Sequence, residues 1–358
     1  RNGNNITEAE EVESVRDKGF RVSISGNRGK EVDRMTFEHL LREALVTSVT
    51  VFDNAVINWE GEVANPEFGI RDTIYRFAGG TVILKKVILP QVHDRYSLFA
   101  EVTEYSAGDA YDRTGTVFVI PQGDPVTFID GLIRGHKSLP VHTDKHGKDY
   151  SGVAATISYR PPVELVRFFT PFGVRNFNEK RTVPGLVWED SAFYKQEITR
   201  YLPLLRGEVW IGAFIGNYDR GGHRLSLRLK YYPETREMEF PASPEKWISS
   251  VFNTLPIMEM EGQQYGTMFD GDTLSVSVEI PEGLKSLQMV FITTGHGGWG
   301  GGDEFNQKMN ELLVDGRRVW SFVPWRSDCG TYRNYNPASG NFWNGLSSSD
   351  YSRSGWCP

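Results

Sequence analysis

Three observations predict an all-β chain. Short runs rich in β-branched and aromatic residues recur from residue 81 onward. Each run is bounded by Gly, Pro, Asn or Asp, and a single helical stripe stands against them. That helix is expected in DRMTFEHLLREALVTS (33–48). There Phe37, Leu40, Leu41, Ala44 and Leu45 fall on one face, with Asp33 at the N-cap position. The strands expected next are TVILKKVIL (81–89), GTVFVI (115–120), VAATISYR (153–160), ELVRFFT (164–170), EVWIGAFI (208–215) and HRLSLRLKYY (223–232). After Pro233 come TLSVSVEI (273–280), LQMVFITT (287–294) and ELLVDGRRVWSF (311–322), the last with an Asp315-Gly316 hairpin turn. This is the strand spacing of sandwiches. The polar, Pro-bearing segment KYYPETREMEFPASPEKW (230–247) reads as the linker between two of them.

At 358 residues the chain can bury two cores of ordinary size. A net charge of -7 excludes a broad basic face, and with it nucleic acid or an anionic membrane as partner. No apolar run has the length of a bilayer span, and the start RNGNNITEAEE lacks the apolar region of a signal peptide. The chain is thus expected to be cytosolic or already processed. Its two cysteines, Cys329 and Cys357, stand in turn-rich sequence and read as one staple formed in an oxidising compartment; two free thiols in a cytosolic protein are the alternative. Nine Trp and fifteen Tyr beside thirty-seven Gly lean toward a sugar-binding cleft, where rings stack on sugar C–H faces.

The segment TTGHGGWGGGDEF (293–305) contains the spacing G-x-G-x-x-G. A nucleotide reading fails because Asp303 and Glu304 would place negative charge where a pyrophosphate must sit, and no alternating strand–helix pattern surrounds it. His136, His142 and His146 cluster in GHKSLPVHTDKHGKD (135–149), a Lys- and Asp-rich run better read as solvated loop than metal site. SAGDAYDRTGTVFVI (106–120) sets Asp109, Tyr111, Asp112 and Arg113 in a turn entering a strand, the kind of rim where sandwich proteins place functional groups. Asp109 there suits an Asx turn, and Asp112-Arg113 an ion pair at the strand start. From residue chemistry alone Asp112 and Glu304 do not stand out. The run 325–358 carries Trp, Tyr and Arg in a long loop closed by the proposed bridge, and reads as a cleft wall.

With those motifs in order, the chain resembles the bacterial peptide-N-glycosidase F family. DAYDRTGTVFV (109–119) resembles the family's Asp-x-x-Asp-Arg turn, and VRFFTPFGV (166–174) its Arg-Phe-x-Thr-Pro strand end. TLPIMEMEGQQYGTMFDG (254–271) resembles the opening of its second domain, TTGHGG with DEF its Gly-His loop and catalytic-Glu segment, and SRSGWCP (352–358) its Arg-x-Gly-Trp-Cys-Pro signature. The resemblance implies two adjacent antiparallel jelly-roll β-sandwiches, over 65–235 and 236–358, preceded by a small α+β extension over 1–64. It implies an amidase that cleaves the bond between a protein Asn and the first N-acetylglucosamine of an N-glycan. Asp112 and Glu304 would be catalytic, and Arg113, His296, Phe305, Arg353 and Trp356 would line the cleft. No cofactor or metal is expected. The partner would be an N-linked glycoprotein or glycopeptide met through its chitobiose core, by a secreted or periplasmic monomer whose signal peptide has been removed.

The sequence also departs from the family. Its third acidic residue has no Glu to match it within VWIGAFIGNYDRGG (209–222), where Gly or Phe stands instead. The disulfide flanking the catalytic Glu is absent, and family members continue past the position of Pro358 with further strands. A non-catalytic glycan-binding module on the same fold is therefore the alternative function. A glycosidase acting on a sugar–sugar bond fits the composition but not the motif order.

Overall fold

The computed structural model describes residues 45–93, 95–233, 246–254, 257–260, 262–266, 268–269, 271–298 and 302–358. Its first strands are β1 (Thr47–Ile57), β2 (Ile74–Phe77), β3 (Val82–Leu89), β4 (Tyr96–Ser106) and β5 (Thr114–Ile120). Two short strands follow, β6 (Val141–Thr143) and β7 (Asp149–Ser151), then β8 (Val163–Phe169), β9 (Ser191–Glu197), β10 (Gly207–Ile215) and β11 (His223–Pro233). They form two antiparallel sheets, one ordered β1-β11-β4-β9 and one ordered β2-β3-β10-β5-β8.

Alternation builds the four-stranded sheet. Along β11, Leu225, Leu227, Leu229 and Tyr231 point inward while Arg224, Ser226, Arg228 and Lys230 point out. Those inward residues meet Val117, Val119, Leu165, Ile211 and Ala213 of the other sheet in the main core. The five-stranded sheet is buried on both faces, which is why its strands read as unbroken apolar runs. Its outer face presents Leu84, Phe118, Trp210 and Phe214 to a second core closed by Phe128 of a short helix (Phe128–Arg134), Tyr159, Ile257 and Met258.

The second half of the chain adds the hairpin β12 (Asn310–Val314) and β13 (Arg317–Phe322), turning at Asp315-Gly316 as expected. A short ladder joins β14 (Trp325–Arg326) to β15 (Arg353–Ser354). The all-β expectation holds, and no helix of the described residues is long and apolar enough to cross a membrane.

Several sequence expectations differ. The helix expected over 33–48 falls almost wholly outside the described residues, and β1, placed by the sequence in the N-terminal extension, pairs along its length with β11. VAATISYR is not a strand: Thr156 bridges back to Tyr159 around a turn that leaves Ile157 in solvent, and Ala154 bridges singly to Phe252. The segments 273–280 and 287–294 form no ladder among the described residues, and most of their side chains are exposed. Apolar alternation without a neighbouring strand to take the backbone groups does not make a sheet. At the expected linker, β11 runs on through Pro233, and 234–245 lie outside the described residues.

Candidate active site

The site lies at one end of the sandwich, where β5 begins and β8, β10 and β3 have their adjoining ends. Asp112 sits on the turn that leads into β5, held by backbone bonds on both sides. Arg113 N–H donates to Tyr111 O (2.9 Å) and to Thr170 Oγ1 (2.8 Å), and Thr170 N–H donates to Arg113 O (3.0 Å). The Asx role read for Asp109 is present, since Asp109 Oδ1 accepts from Tyr111 N–H at 3.3 Å.

Beneath that turn runs a buried chain of charges. Arg113 Nε donates to Asp109 Oδ2 (2.6 Å), the same oxygen lies 3.4 Å from His223 Nε2, and His223 Nδ1 lies 2.7 Å from Glu104 Oε1. Burial alone would lower the pKa of His223, but hydrogen bonds to Asp109 and Glu104 outweigh it and raise it. Burial alone would raise Asp109, yet His223 and Arg113 hold it low, whereas burial prevails at Glu104 and raises it. Arg113 therefore anchors the turn and does not meet Asp112; its guanidinium lies over the Tyr111 ring, 4.8 Å from the centroid.

Glu304 arrives from the Gly-rich loop. Among the described residues no α-helix follows that loop, so the nucleotide geometry is not built; the Gly298 N–H donates instead to Glu304 Oε2 at 2.8 Å. The loop is folded on itself and on the C-terminal segment. Gly295 N–H donates to Ser354 O (2.8 Å), Ser354 N–H to Glu304 O (3.0 Å), and Trp356 Nε1–H to Gly295 O (2.8 Å). Gly302 is a close-approach glycine: a Cβ there would lie 2.3 Å from His296 O.

Arg353 joins the two acids. Only 2% exposed, it places Nε 3.1 Å from Glu304 Oε1 and Nη2 3.7 Å from Asp112 Oδ2. Its guanidinium also lies over Phe305 (4.3 Å) and Trp356 (5.3 Å). Asp112 Oδ2 and Arg353 Nη1 are buried with no hydrogen-bond partner among the described residues. Desolvation pushes Asp112 up to about 7; Arg353 opposes this and Glu304 adds to it. Burial likewise raises Glu304, against the Gly298 N–H and Arg353. Burial, then Arg167 and Arg353, drive His296 down to about 3, so its ring is neutral and accepts or donates hydrogen bonds without charge. Thr294 Oγ1 at 2.9 Å and Thr114 Oγ1 at 3.0 Å flank its Nε2.

Trp356 is placed differently from its expected cleft-lining position. It is 5% exposed and stacked on Phe169 (centroids 4.1 Å, interplanar 9°), which makes it a pillar under the site. The ring that reaches solvent beside Asp112 is Tyr111, at 49% exposure. Sequence reasoning does not single out Phe169, Thr114, Thr294 or Arg167. Yet Arg167 ties β8 to the loop by donating to Thr294 Oγ1 at 2.8 Å while paired with Glu164. The signal for Arg167 and Phe169 was their motif, Arg-Phe-Phe-Thr-Pro at a strand end.

Cys329 and Cys357 form the expected disulfide, closing a loop with a sequence separation of 28 that includes Arg353 and Trp356. Among the described residues the one cluster with metal-ligating potential is these two cysteines with Asp328, and the bond occupies both sulfurs. Replacing both cysteines by alanine is expected to lower stability by about 2–4 kcal/mol. Chemical denaturation of the variant checks this, and an unchanged midpoint would mean the loop is held by its packing alone.

Comparison with known proteins bears on this arrangement. A family model described as "Peptide-N-glycosidase F, N terminal" matches residues 48–231, and "Peptide-N-glycosidase F, C terminal" matches 264–358. Two solved structures of PNGF-II, in P21 and C2 space groups, are 47% and 44% identical, each with TM-score 0.79. They cover 90% and 96% of this chain, which spans 59% and 61% of theirs, about three fifths of their length. A solved PNGase F, described as a glycosylasparaginase from Flavobacterium meningosepticum, is 14% identical with TM-score 0.43, over 87% of this chain and 80% of that one. No curated protein matches.

Proposed function

The chain belongs to the peptide-N-glycosidase F family, and from that premise we propose that it hydrolyses the amide linking N-acetylglucosamine to an Asn side chain. The observation that carries this reading is the convergence of Asp112 and Glu304 on one buried guanidinium, with a carboxyl poised near neutrality. Asp112, as carboxylate, takes a proton from a water that adds to the side-chain carbonyl carbon. The oxyanion that forms is met by the positive charge of Arg353. Collapse breaks the carbon–nitrogen bond, and the proton held by Asp112 passes to the leaving nitrogen. The products are Asp on the peptide and a glycosylamine. Glu304 fixes Arg353 and the water, neutral His296 hydrogen-bonds to the sugar, and the Tyr111 and Phe305 rings stack against it.

The substrate class is N-linked glycoprotein or glycopeptide, and the Cys329–Cys357 bridge suits a secreted or periplasmic site of action. One observation favours the second reading, a glycan-binding module without catalysis. On β10, where the family resemblance expects a third acid, Phe214 is buried in the outer core and no carboxylate faces the site.

Incubation with an N-glycopeptide and mass spectrometry of the peptide separates these readings. Conversion of Asn to Asp supports the amidase. Glycan release that leaves one N-acetylglucosamine on Asn would indicate a glycosidase, and binding without product the module. Since Asp112 must be ionised to act as base, kcat/KM is expected to rise about tenfold per pH unit up to about 7 and level off above it. Stability runs the other way. With its folded pKa raised from 3.8, Asp112 contributes stability fully below the unfolded value and loses it as pH rises through about 7. A flat activity profile from pH 5 to 8 would remove Asp112 as the base.

A further inference from the structure

His223 opens β11 and points inward, opposite Ser106 of β4 and one register step from Glu104, which pairs with Leu225. Both side chains are fully buried, and the hydrolysis drawn from Asp112, Glu304 and Arg353 uses neither. Each ring nitrogen faces a carboxyl group: Nδ1 lies 2.7 Å from Glu104 Oε1 and Nε2 lies 3.4 Å from Asp109 Oδ2. Glu104 Oε2 is buried with no hydrogen-bond partner among the described residues, which leaves the bond between Oε1 and His223 to hold this acid. With one proton on the ring and both acids ionised, one of the acids would face a lone pair. A second proton, on Nδ1 or on Glu104 where burial favours it, satisfies both. Nε2–H then donates to Asp109, the Glu104–His223 pair is neutral, and Asp109 is matched by Arg113. From β9, Tyr194 feels the charge of Glu104 and, being buried, keeps its proton, donating to Phe169 O at 2.7 Å.

Asp109 carries this hold to the site. Its Oδ2 accepts from Arg113 Nε at 2.6 Å, and its Oδ1 accepts from Arg113 Nη2 and from Tyr111 N–H, each at 3.3 Å. One carboxylate thus grips the residues on both sides of Asp112. The Asp112 side chain supplies little aim of its own. Its Oδ2 has no hydrogen-bond partner among the described residues, and Arg353 Nη2 lies 3.7 Å away. The direction of the Asp112 carboxyl therefore depends on the backbone of the turn.

We propose that His223 is a positioning residue for the hydrolysis: held by Glu104, it fixes Asp109, and through Asp109 the turn that aims Asp112 at the scissile amide. The inference rests on the amidase reading for its reaction and adds to it an upper limit in pH. When the Glu104–His223 pair gives up its extra proton, the one that remains stays on Nδ1, where the contact is shorter. Asp109 then faces a bare Nε2 and the turn loses its anchor, so kcat falls although Asp112 is ionised. Stability has the same sign. With its pKa raised above 6.5, His223 contributes stability in full below that value and loses it as pH rises through the folded pKa.

The test measures kcat and KM on an N-glycopeptide from pH 6 to 10. His223→Gln is expected to lower kcat about 10- to 100-fold with KM within about twofold, since the fully buried ring meets no substrate and a small misplacement of the base is costly. Glu104→Gln keeps the shape without the charge, and should bring the alkaline fall in kcat about one pH unit or more below that of the wild type. A merely structural role would lower stability without moving that limb. Unchanged kcat in His223→Gln, or coincident pH profiles for Glu104→Gln and wild type, overturns the proposal. Should either variant fail to fold, nitrogen NMR of the wild-type ring at pH 7.5 decides: a protonated Nε2 supports the clamp, and a bare Nε2 overturns it. If the wild type hydrolyses no glycopeptide, the amidase reading fails by itself, and carbon NMR of the Asp112 carboxyl replaces the kinetics. A titration midpoint displaced by about half a pH unit or more in His223→Gln then supports the clamp; an unmoved one overturns it.

Discussion

Asp112→Asn is expected to reduce turnover of an N-glycopeptide by about 10² to 10⁴-fold while leaving the fold intact. The substitution is nearly isosteric, so the turn that enters β5 keeps its bonds to Tyr111 and Thr170. In the proposed mechanism it removes the one chemical step a carboxamide cannot perform, accepting a proton from water and handing it to the leaving nitrogen. Binding should survive, because the neutral amide occupies the same volume and still faces Arg353, so KM is expected to change little against the fall in kcat. Folding should be almost indifferent near neutrality. Asp112 titrates at about 7 there, and the wild-type site already holds a neutral carboxyl in a large share of molecules. Thermal unfolding followed by circular dichroism alongside the kinetics separates the two effects. Near-wild-type turnover by this variant would move the chemistry away from Asp112.

Arg353→Met carries the second large effect, and it reaches stability as well as rate. The guanidinium is the shared counter-charge of Asp112 and Glu304, both already raised by burial. Methionine fills comparable space but leaves two buried carboxylates facing each other, a loss of about 3–5 kcal/mol when both are ionised. The sign with pH follows from the direction of the shifts. Without Arg353 both carboxyls titrate higher still, so the destabilisation is large at pH 8 and shrinks toward pH 5 as they take up protons. The acid limb of any residual activity should move to higher pH. Arg353→Lys keeps a charge but cannot reach both acids with one planar fork, nor lie flat over Phe305 and Trp356. It should therefore rescue stability in part and turnover poorly. Urea unfolding at pH 5.5 and 8 provides the check; equal losses at both would mean the cation is not what neutralises the pair.

The strands most legible in the sequence were those with the most cover. β3, β5, β8 and β10 lie in a sheet buried on both faces, so each appears as a compact apolar run. β1 is obscured by its own irregularity, since Asp53-Asn54 interrupts the pattern where the register shifts against β11 and Asn54 takes φ 50°. β4 is obscured by Glu101 and Glu104. Glu104 nonetheless occupies the inward phase set by Leu98, Ala100 and Val102, and His223 the inward phase of β11. An acid and a histidine on the buried phase of neighbouring strands are the readable trace of the chain of charges under Asp112. The site itself was not legible from residue chemistry. Asp112 and Glu304 come from two loops and Arg353 from the two-residue strand β15, far apart in sequence, and nothing local marks any of them. They emerged only as parts of motifs in a familiar order. Trp356 lies elsewhere than expected for a related reason: a Trp in a polar loop gives no sign of whether its ring faces a cleft or props one up.

Asp112 belongs to the segment 48–231, whereas Glu304 and Arg353 belong to 264–358. Neither segment holds all three of these groups, so the proposed chemistry belongs to the seam between them. Under the proposed amidase reading, a separation of the two by a few ångströms would abolish turnover while the two large sheets, which lie wholly within residues 47–233, stayed paired. Loss of turnover on warming should therefore precede loss of secondary structure, and activity becomes a more sensitive gauge of how the two halves are joined than any measure of folding in either.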